Sequence, residues 1–376
     1  MKTFIVIGAG ILGASAAYHL AKLGAEVLII DRKDKGQATD AAAGIICPWL
    51  SQRRNKSWYR LAKAGARYYP DLIQALEDEG ETDTGYAQVG ALNIHEDPAK
   101  IIKMEERAYA RLHDAPEIGM ISSLDDQQTR NLFPPLREGF QSVHISGAAR
   151  VDGRALRDAL LRSAQRNGAV LIHDDAKLTF SENRVTGVAA GGKAYQADEV
   201  MVCAGAWAGE LLRPLGIPMI VGFQKAQIVH LELPGSADTG SWPVLMPPTD
   251  QYLLAFDKQS IVMGATHEND TGFDTRVTAG GIQEVLNKGL DLAPALAECT
   301  FRETRVGFRP FTPGFLPVFG PVPGWDGLLA ANGLGASGLT VGPYIGSQLA
   351  RLALNLEPDP ELELSDYEVR KAFGNE

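Results

Sequence analysis

The chain opens with an alternation of strand and helix patterns. An apolar run at residues 4–7 is followed by a glycine-rich turn, a helical segment at 14–23 and a second apolar run at 26–30. Short apolar runs bounded by turn residues are typical of strands buried in a parallel sheet. The start of the chain therefore predicts a strand–helix–strand unit.

Further along the chain, helical spacing alternates with strand patterns. Helices are predicted at 57–79 with an interruption near Pro70, and at 98–113, 154–167, 280–289 and 340–356. Strands are predicted at 91–95, 170–173, 178–181, 184–189, 193–197, 200–204, 226–231, 252–256, 260–263 and 328–331. The segment 218–264 alternates in the manner of an antiparallel sheet. The segment 304–323 is rich in proline and glycine, and we expect it to be irregular.

The end of the chain repeats the strand, glycine turn and helix of its start. Two such units at opposite ends predict one nucleotide-binding domain completed by both ends, with antiparallel strands inserted as a second domain. We therefore predict an α/β fold with a Rossmann-like domain and an α+β substrate domain built on an antiparallel sheet. The first domain is predicted at 1–85, 145–215 and 305–376, and the second at 86–144 and 216–304.

The glycines of the first turn stand where a dinucleotide site needs them. Gly8 allows the tight turn after the strand, Gly10 lets the backbone approach a pyrophosphate, and Gly13 lets the helix pack closely on the sheet. Asp31 follows the second strand, where its carboxylate can accept hydrogen bonds from a ribose 2′-OH. The alternative is a glycine turn in some other βαβ unit, and we favour the dinucleotide site.

Charge and cysteine content narrow the classes of function. The 376 residues carry a net charge of −10, which disfavours nucleic acid as a partner because phosphate contacts need a basic face. The cluster Arg53-Arg54-Asn55-Lys56 is interpreted as a solvated loop rather than a binding patch. Three widely spaced cysteines, Cys47, Cys203 and Cys299, predict neither a disulfide framework nor a zinc site, and favour the cytoplasm.

The uncharged stretch from Thr3 to Ala21 is similar to a signal peptide or a short membrane span. Its glycines fall where a phosphate turn needs them, so we assign the stretch to the fold. We expect no membrane span, and the sequence does not decide on peripheral attachment or on oligomeric state.

Seven segments together resemble the D-amino-acid oxidase-like family of FAD-dependent oxidoreductases, the group of glycine oxidase, sarcosine oxidase and D-amino-acid dehydrogenases. The segments are Gly8–Gly13 with Asp31, Ala38–Pro48, Val151–Gly153, Cys203–Trp207, Gly264–Thr266, Gly307–Pro310 with Thr312-Pro313, and Asn332–Gly338. They occur in the family's order over nearly the whole chain.

The resemblance implies non-covalent FAD, with the flavin ring beside the 42–48 loop and over the C-terminal glycine turn. The cofactor-binding residues that it implies are Gly8, Gly10, Ile11, Leu12, Gly13, Asp31, Arg32, Thr39, Ala42, Ala43, Gly44, Ile46, Ala204, Gly205, Trp207, Arg309, Gly333, Gly335, Ala336, Ser337, Gly338, Leu339 and Thr340. Backbone N–H groups at the start of the last helix are suited to stabilise the negative charge of a reduced flavin.

The resemblance also implies two catalytic residues. Arg309 stands where the family binds the substrate carboxylate, a role for which a planar, permanently charged guanidinium is suited. A structural ion pair is the alternative for Arg309. Tyr252 matches a tyrosine that assists in carboxylate binding, and a half-buried core tyrosine is its alternative. His267 is interpreted as a loop histidine.

Two departures from the family limit the prediction. Glycine oxidases carry an additional arginine in the last glycine turn, where this chain has Ala336, so the resemblance does not imply strict glycine specificity. Monomeric sarcosine oxidases link FAD to a cysteine near the position of Gly307. Cys299 lies eight residues before that position, which is why non-covalent FAD is expected.

The predicted reaction is oxidation of the Cα–N bond of a small amino acid (a D-amino acid, glycine or an N-methylglycine type) by hydride transfer to flavin. The imine product would be hydrolysed to a 2-oxo acid, and the electrons would pass to oxygen or another acceptor. The alternative within flavin chemistry is a dehydrogenase of a 2-hydroxy acid or other carboxylate that reduces a quinone or carrier. A partner-dependent tailoring or RNA-modification domain and an NAD-binding dehydrogenase are less favoured, the latter because it leaves the C-terminal glycine unit unexplained.

Overall fold

The computed structural model describes residues 1–374. The helices are α1 (Ile11–Lys22), α2 (Lys56–Asp78), α3 (Pro98–Leu112), α4 (Asp126–Leu132), α5 (Gly153–Arg166), α6 (Ala208–Leu212), α7 (Ala279–Leu292) and α8 (Gly338–Ala353). The strands are β1 (Thr3–Ile7), β2 (Glu26–Ile30), β3 (Ile45–Ile46), β4 (Ala91–His95), β5 (Ile121–Leu124), β6 (Gln141–Ile145), β7 (Ala149–Arg150), β8 (Val170–Ile172), β9 (Lys177–Ser181), β10 (Arg184–Ala190), β11 (Lys193–Gln196), β12 (Glu199–Val202), β13 (Gly222–Glu232), β14 (Val244–Met246), β15 (Tyr252–Phe256), β16 (Ser260–Gly264), β17 (Thr300–Phe311), β18 (Val318–Pro321) and β19 (Leu328–Asn332).

A six-stranded sheet joins the two ends of the chain. Its strand order is β18-β19-β12-β1-β2-β8, and β1 pairs in parallel with both β2 and β12. Strand β19 then pairs in parallel with β12, although more than 300 residues separate it from β1. The central strands are buried on both faces, which explains why they read as continuous apolar runs. The predicted α/β architecture is confirmed.

Helices α1 and α8, from opposite ends of the chain, pack closely on this sheet. The Ser15 hydroxyl donates a hydrogen bond of 2.7 Å to the carbonyl oxygen of Pro343. A Cβ on Gly346 would lie 2.6 Å from the Cβ of Ser15, so only glycine permits this approach. The close packing brings the N-terminal ends of the two helices toward one region of the fold.

The second sheet has eight strands in the order β17-β13-β16-β15-β14-β4-β6-β5. Its neighbouring strands are antiparallel except for the pair β4 and β14, which is parallel. The antiparallel sheet predicted from residues 218–264 is therefore present. A three-stranded meander, β9-β10-β11, lies between β8 and β12 along the chain.

Two local predictions are wrong. The segment 304–323 is not irregular, because residues 300–311 form a long strand paired with β13 along its length. This strand lies at the edge of the sheet, where Pro310 and its missing N–H are tolerated. Helix α2 also continues through Pro70 without a break. Its buried face, which includes Leu61 and Tyr69, packs against α8, and this packing offsets the lost backbone hydrogen bond.

The domain boundaries stay a prediction. Strands β4, β5 and β6 come from the predicted segment 86–144, and β13 to β16 come from the segment 216–304. Strand β17 belongs to the same sheet and extends past the predicted boundary at residue 304 to Phe311. The substrate sheet thus continues directly into the segment predicted for the nucleotide-binding domain.

Candidate active site

The first glycine turn has the tight geometry that its sequence predicts. Gly8 has a φ of +100°, a conformation that favours glycine. A Cβ on Gly13 would lie 1.9 Å from the carbonyl oxygen of Gly8, so helix α1 can approach the turn only with glycine there. By contrast, a Cβ on Gly10 would meet its nearest protein atom, the Thr39 hydroxyl, at 3.4 Å. The space in front of Gly10 is open, as a backbone approach to phosphate requires.

Asp31 is buried, with 7% exposure, and its carboxylate is held by the turn. One oxygen accepts a hydrogen bond of 2.6 Å from the N–H of Ala9. The other accepts from the N–H of Lys33 at 2.6 Å and from the side chain of Gln37 at 2.9 Å. Asp31 therefore fixes the position of the glycine turn and still lines the cavity described below. Its contact with a ribose stays a prediction.

The N–H of Ile11 donates a hydrogen bond of 3.0 Å to the Thr39 hydroxyl. The backbone N–H of Ile11 is thus already hydrogen-bonded within the protein. Thr39 links the start of α1 to the 38–41 turn, and both residues line the cavity.

A single cavity of about 1320 Å³ runs from this turn to the second sheet. Pockets for small molecules usually measure about 300–1,000 Å³, so this one has room for a dinucleotide and a further small ligand. The predicted site residues that line it are Gly8, Gly10, Ile11, Leu12, Asp31, Arg32, Thr39, Ala42, Ala43, Gly44, Ala204, Gly205, Trp207, Tyr252, Arg309, Gly335, Ala336, Ser337, Gly338, Leu339 and Thr340.

Three predicted cofactor-binding residues lie behind the cavity wall. Gly13 packs against the first turn, as described above. Ile46 is buried in the hydrophobic core. Gly333 packs against Thr312, whose hydroxyl oxygen would lie 2.0 Å from a Cβ at this position. These residues shape the cavity from behind.

The C-terminal glycine turn faces the same cavity. Residues Gly335–Ser337 form one short 3₁₀ turn that leads directly into α8. The Thr340 hydroxyl donates to the carbonyl oxygen of Ile45 at 3.1 Å, which fastens the 42–48 loop to the start of the helix. The indole N–H of Trp58 donates to the Ser337 hydroxyl at 3.1 Å. The positive end of the α8 dipole is therefore directed at the cavity between two anchored loops.

Arg309 reaches the cavity from the second sheet. Its guanidinium donates to the side-chain oxygen of Gln224, 3.4 Å away on the neighbouring strand β13. The amide of Gln224 in turn donates to Asn269 at 3.0 Å, which sets the orientation of the acceptor. Among residues 1–374 Arg309 forms no ion pair with a carboxylate. The described residues therefore do not show the structural ion pair that was the alternative role for Arg309.

Two titratable groups flank Arg309. Burial raises the pKa of Tyr252, and the positive charge of Arg309 opposes this rise. Burial lowers the pKa of His267, and the charge of Arg309 lowers it further. His267 also lies 3.3 Å from a carboxylate oxygen of Asp250. Near neutral pH, the positive charge at this end of the cavity therefore comes from Arg309 and from the cations described below, and not from His267.

Sequence reasoning missed several residues of the cavity wall. Trp58, Asn93 and Met246 line it. So do Lys100, Lys103 and Arg107 of α3, whose spacing of three and four residues places them on one helix face. That spacing was visible in the sequence, but nothing in the sequence placed this helix face at the cavity.

The cysteines do not change the cofactor prediction. Burial raises the pKa of Cys47 and of Cys203 to about 12 each, which disfavours the reactive thiolate form. Cys299 packs with the core of the second sheet instead of lining the cavity.

Residues 1–374 show neither a metal-ligand cluster nor a membrane-spanning helix. No cluster of three potential metal ligands is present in this part of the chain. Within the same residues, no helix combines the length and the apolar character that crossing a membrane requires.

Comparison with known proteins decides the family. The family model described as FAD dependent oxidoreductase matches residues 3–352. The chain belongs to this family. It is 63% identical to the uncharacterized oxidoreductase YurR of Bacillus subtilis, over the whole length of both proteins. It is 31% identical to a glycine oxidase of Pseudomonas aeruginosa, covering 94% of this chain and 95% of the relative.

The fold is also that of solved family members. The crystal structure of iminodiacetate oxidase from Chelativorans sp. BNC1 superimposes with a TM-score of 0.93 at 48% identity, covering 97% of this chain and 98% of the other. The protein is therefore an FAD-dependent oxidoreductase, and the predicted family, fold and cofactor are confirmed. The NAD-binding alternative is excluded. Both glycine turns, the open space at Gly10 and the size of the cavity fit FAD.

Proposed function

We propose that the protein oxidises the Cα–N bond of a small amino acid, with a primary or an N-substituted amine. The observation that carries the proposal is the entry of Arg309, free of a carboxylate partner within residues 1–374, into the cavity that both glycine turns line. A guanidinium in that position can hold a substrate carboxylate by two parallel hydrogen bonds. The glycine oxidase and iminodiacetate oxidase relatives, whose names describe amino-acid substrates, support the same chemistry.

Arg309 would orient the substrate by its carboxylate, so that Cα lies at a fixed distance from the C-terminal turn. Tyr252 is on the adjacent part of the wall, and its raised pKa keeps the phenol neutral as a hydrogen-bond donor at physiological pH. Bound FAD supplies the acceptor for the hydride that leaves Cα. Holding the reactants in one geometry is the larger part of what these residues contribute.

The amine must be neutral for this reaction, because its lone pair forms the C=N bond as the hydride leaves. The N–H groups at the start of α8 would stabilise negative charge that develops nearby. Water then hydrolyses the imine to a 2-oxo acid and an amine or ammonia. Since a free amino acid is mostly protonated at neutral pH, we expect turnover to rise as pH increases toward the pKa of the substrate amine.

The test is anaerobic flavin reduction by a substrate panel, followed as loss of flavin absorbance. Glycine, sarcosine, iminodiacetate, proline and both enantiomers of alanine and aspartate represent the proposed class, and lactate and glycolate represent 2-hydroxy acids. Reduction by amino acids supports the proposal. Reduction by hydroxy acids alone overturns it in favour of the 2-hydroxy-acid dehydrogenase.

A further inference from the structure

Helix α3 presents a row of positive charge to the cavity. Lys100, Lys103 and Arg107 lie on one face of the helix and line the cavity wall, and Arg53 joins them from the loop before α2. Glu105 and Glu106 of the same helix do not line the cavity. We refer to Arg53, Lys100, Lys103 and Arg107 as the entrance cations.

The entrance cations lack carboxylate partners. The ion pairs among residues 1–374 include none of the four. Arg107 donates to the carbonyl oxygen of Leu50 at 3.4 Å, and Arg53 lies 4.7 Å above the ring of Trp58. In a chain with a net charge of −10, a group of unpaired cations at one cavity is a local reversal of charge.

The opposite end of the cavity has the reverse charge. Carboxylates that follow the strands around the first glycine turn line it, namely Asp31, Asp34, Asp174, Asp175 and Glu210. Arg32 at that end is paired with Asp34 and Asp175, at 2.8 Å and 3.1 Å. Lys177 lines that end as well. At the end that faces the substrate sheet the lining carboxylate is Asp250, which lies 3.5 Å from Lys288. Unpaired positive charge is thus concentrated at the substrate end.

Two contacts connect the entrance cations to the proposed reaction centre. Arg53 stacks on Trp58, and Trp58 is hydrogen-bonded to Ser337 in the C-terminal glycine turn. The carbonyl oxygen of Leu50 accepts the hydrogen bond from Arg107. Leu50 lies in the same loop as Arg53, before α2, and it lines the same cavity. Arg53 is thus connected to the turn through Trp58, and all four cations lie on different elements from Arg309.

We propose that the entrance cations form a second anion subsite, which selects amino acids that carry a second carboxylate on the side chain or on the nitrogen. This inference rests on the proposed function and names its substrate class. An amino acid with one carboxylate is a zwitterion of zero net charge, whereas a dicarboxylic one has a net charge of −1 at neutral pH. Arg309 would hold the carboxylate beside Cα, and the entrance cations would attract the second. The likeness to an iminodiacetate oxidase at 48% identity agrees with this class.

The test uses the double variant Lys100→Gln/Lys103→Gln, because both side chains are exposed and neither forms an ion pair within residues 1–374. The matched control is Lys193→Gln, an exposed lysine on β11 outside the cavity. For each holoenzyme, kcat/KM is measured with iminodiacetate and with sarcosine at low and at high salt. Exposed charge pairs contribute about 1.4- to 5-fold each, so the double variant should lose about 2- to 25-fold with iminodiacetate and far less with sarcosine.

Salt provides the second readout. In the unaltered protein and the control, raising the ionic strength should lower kcat/KM for iminodiacetate more than for sarcosine, and the double variant should lose that difference. Equal losses with both substrates, or an unchanged ratio of the two, would overturn the second subsite while leaving the proposed function intact. Absence of flavin reduction by every amine would overturn the proposed function itself.

Discussion

Replacement of Arg309 tests the assignment of the substrate carboxylate most directly. Arg309→Lys keeps the positive charge but loses the planar fork, and Arg309→Ala loses both. The side chain lies on the last part of β17, where Gln224 on β13 holds one of its nitrogens. Because it forms no ion pair within residues 1–374, its removal leaves no buried carboxylate behind. The fold should therefore tolerate both changes.

The magnitude follows from the number of hydrogen bonds lost. A hydrogen bond to a charged group contributes about 1.5–3 kcal/mol. Arg309→Lys retains one of two such bonds, so kcat/KM should fall about 10- to 150-fold for substrates with a carboxylate beside Cα. Arg309→Ala loses both bonds, about 3–6 kcal/mol, which is a loss of about 150-fold or more.

The assay is stopped-flow flavin reduction without oxygen, which separates substrate affinity from the rate of the chemical step. Arg302→Lys is the control, since Arg302 is on the same strand, pairs with Glu232 and lies outside the cavity. N-methylpropylamine serves as an amine without a carboxylate. If Arg309→Ala slows its oxidation as much as that of sarcosine, or leaves sarcosine unaffected, Arg309 does not hold the carboxylate.

Three further predictions concern the cofactor site and the fold. In Gly10→Ala the new Cβ would stand 3.4 Å from its nearest protein atom, so the protein should fold but retain FAD at least about 10-fold less tightly in fluorescence titration. Gly280→Ala, at an exposed position of α7 outside the cavity, should retain FAD normally. In Asp31→Asn the side-chain NH₂ group would face the backbone N–H of Ala9 or of Lys33, so two donors would meet. The lost hydrogen bond costs about 1–3 kcal/mol, and the variant should therefore have lower thermal stability and weaker FAD retention. Burial lowers the pKa of His19 to about 4, below its unfolded value near 6.5, so the free energy of unfolding should fall by up to about 3 kcal/mol as pH drops through that window. Denaturant titrations across pH should show a smaller fall in the free energy of unfolding for His19→Gln than for the unaltered protein.

Local signals in the sequence were sufficient for the nucleotide-binding half of the molecule. The first glycine turn and Asp31 belong to one strand–turn–helix–strand unit, so their residue types and spacing could be recognised locally. Their packing also uses distant residues, because Gly8 lies against Cys203. The C-terminal turn was recognised for the same reason. That both turns line one cavity was also inferred correctly, because repeated strand–turn–helix units join in one parallel sheet.

Contacts between distant residues decided the rest. Strand β17 forms because β13 offers its backbone groups along a whole edge, and this partner outweighs the local preference of proline and glycine for irregular structure. Helix α2 continues through Pro70 because its buried face packs on α8. The entrance cations come from a loop and from one face of α3, and only folding brings them to the cavity that Arg309 enters from another sheet. The sequence by itself determined the two glycine turns, since each turn is a run of neighbouring residues between a strand and a helix. The substrate end was decided only by tertiary structure, since it is assembled from side chains whose neighbours depend on how whole elements pack.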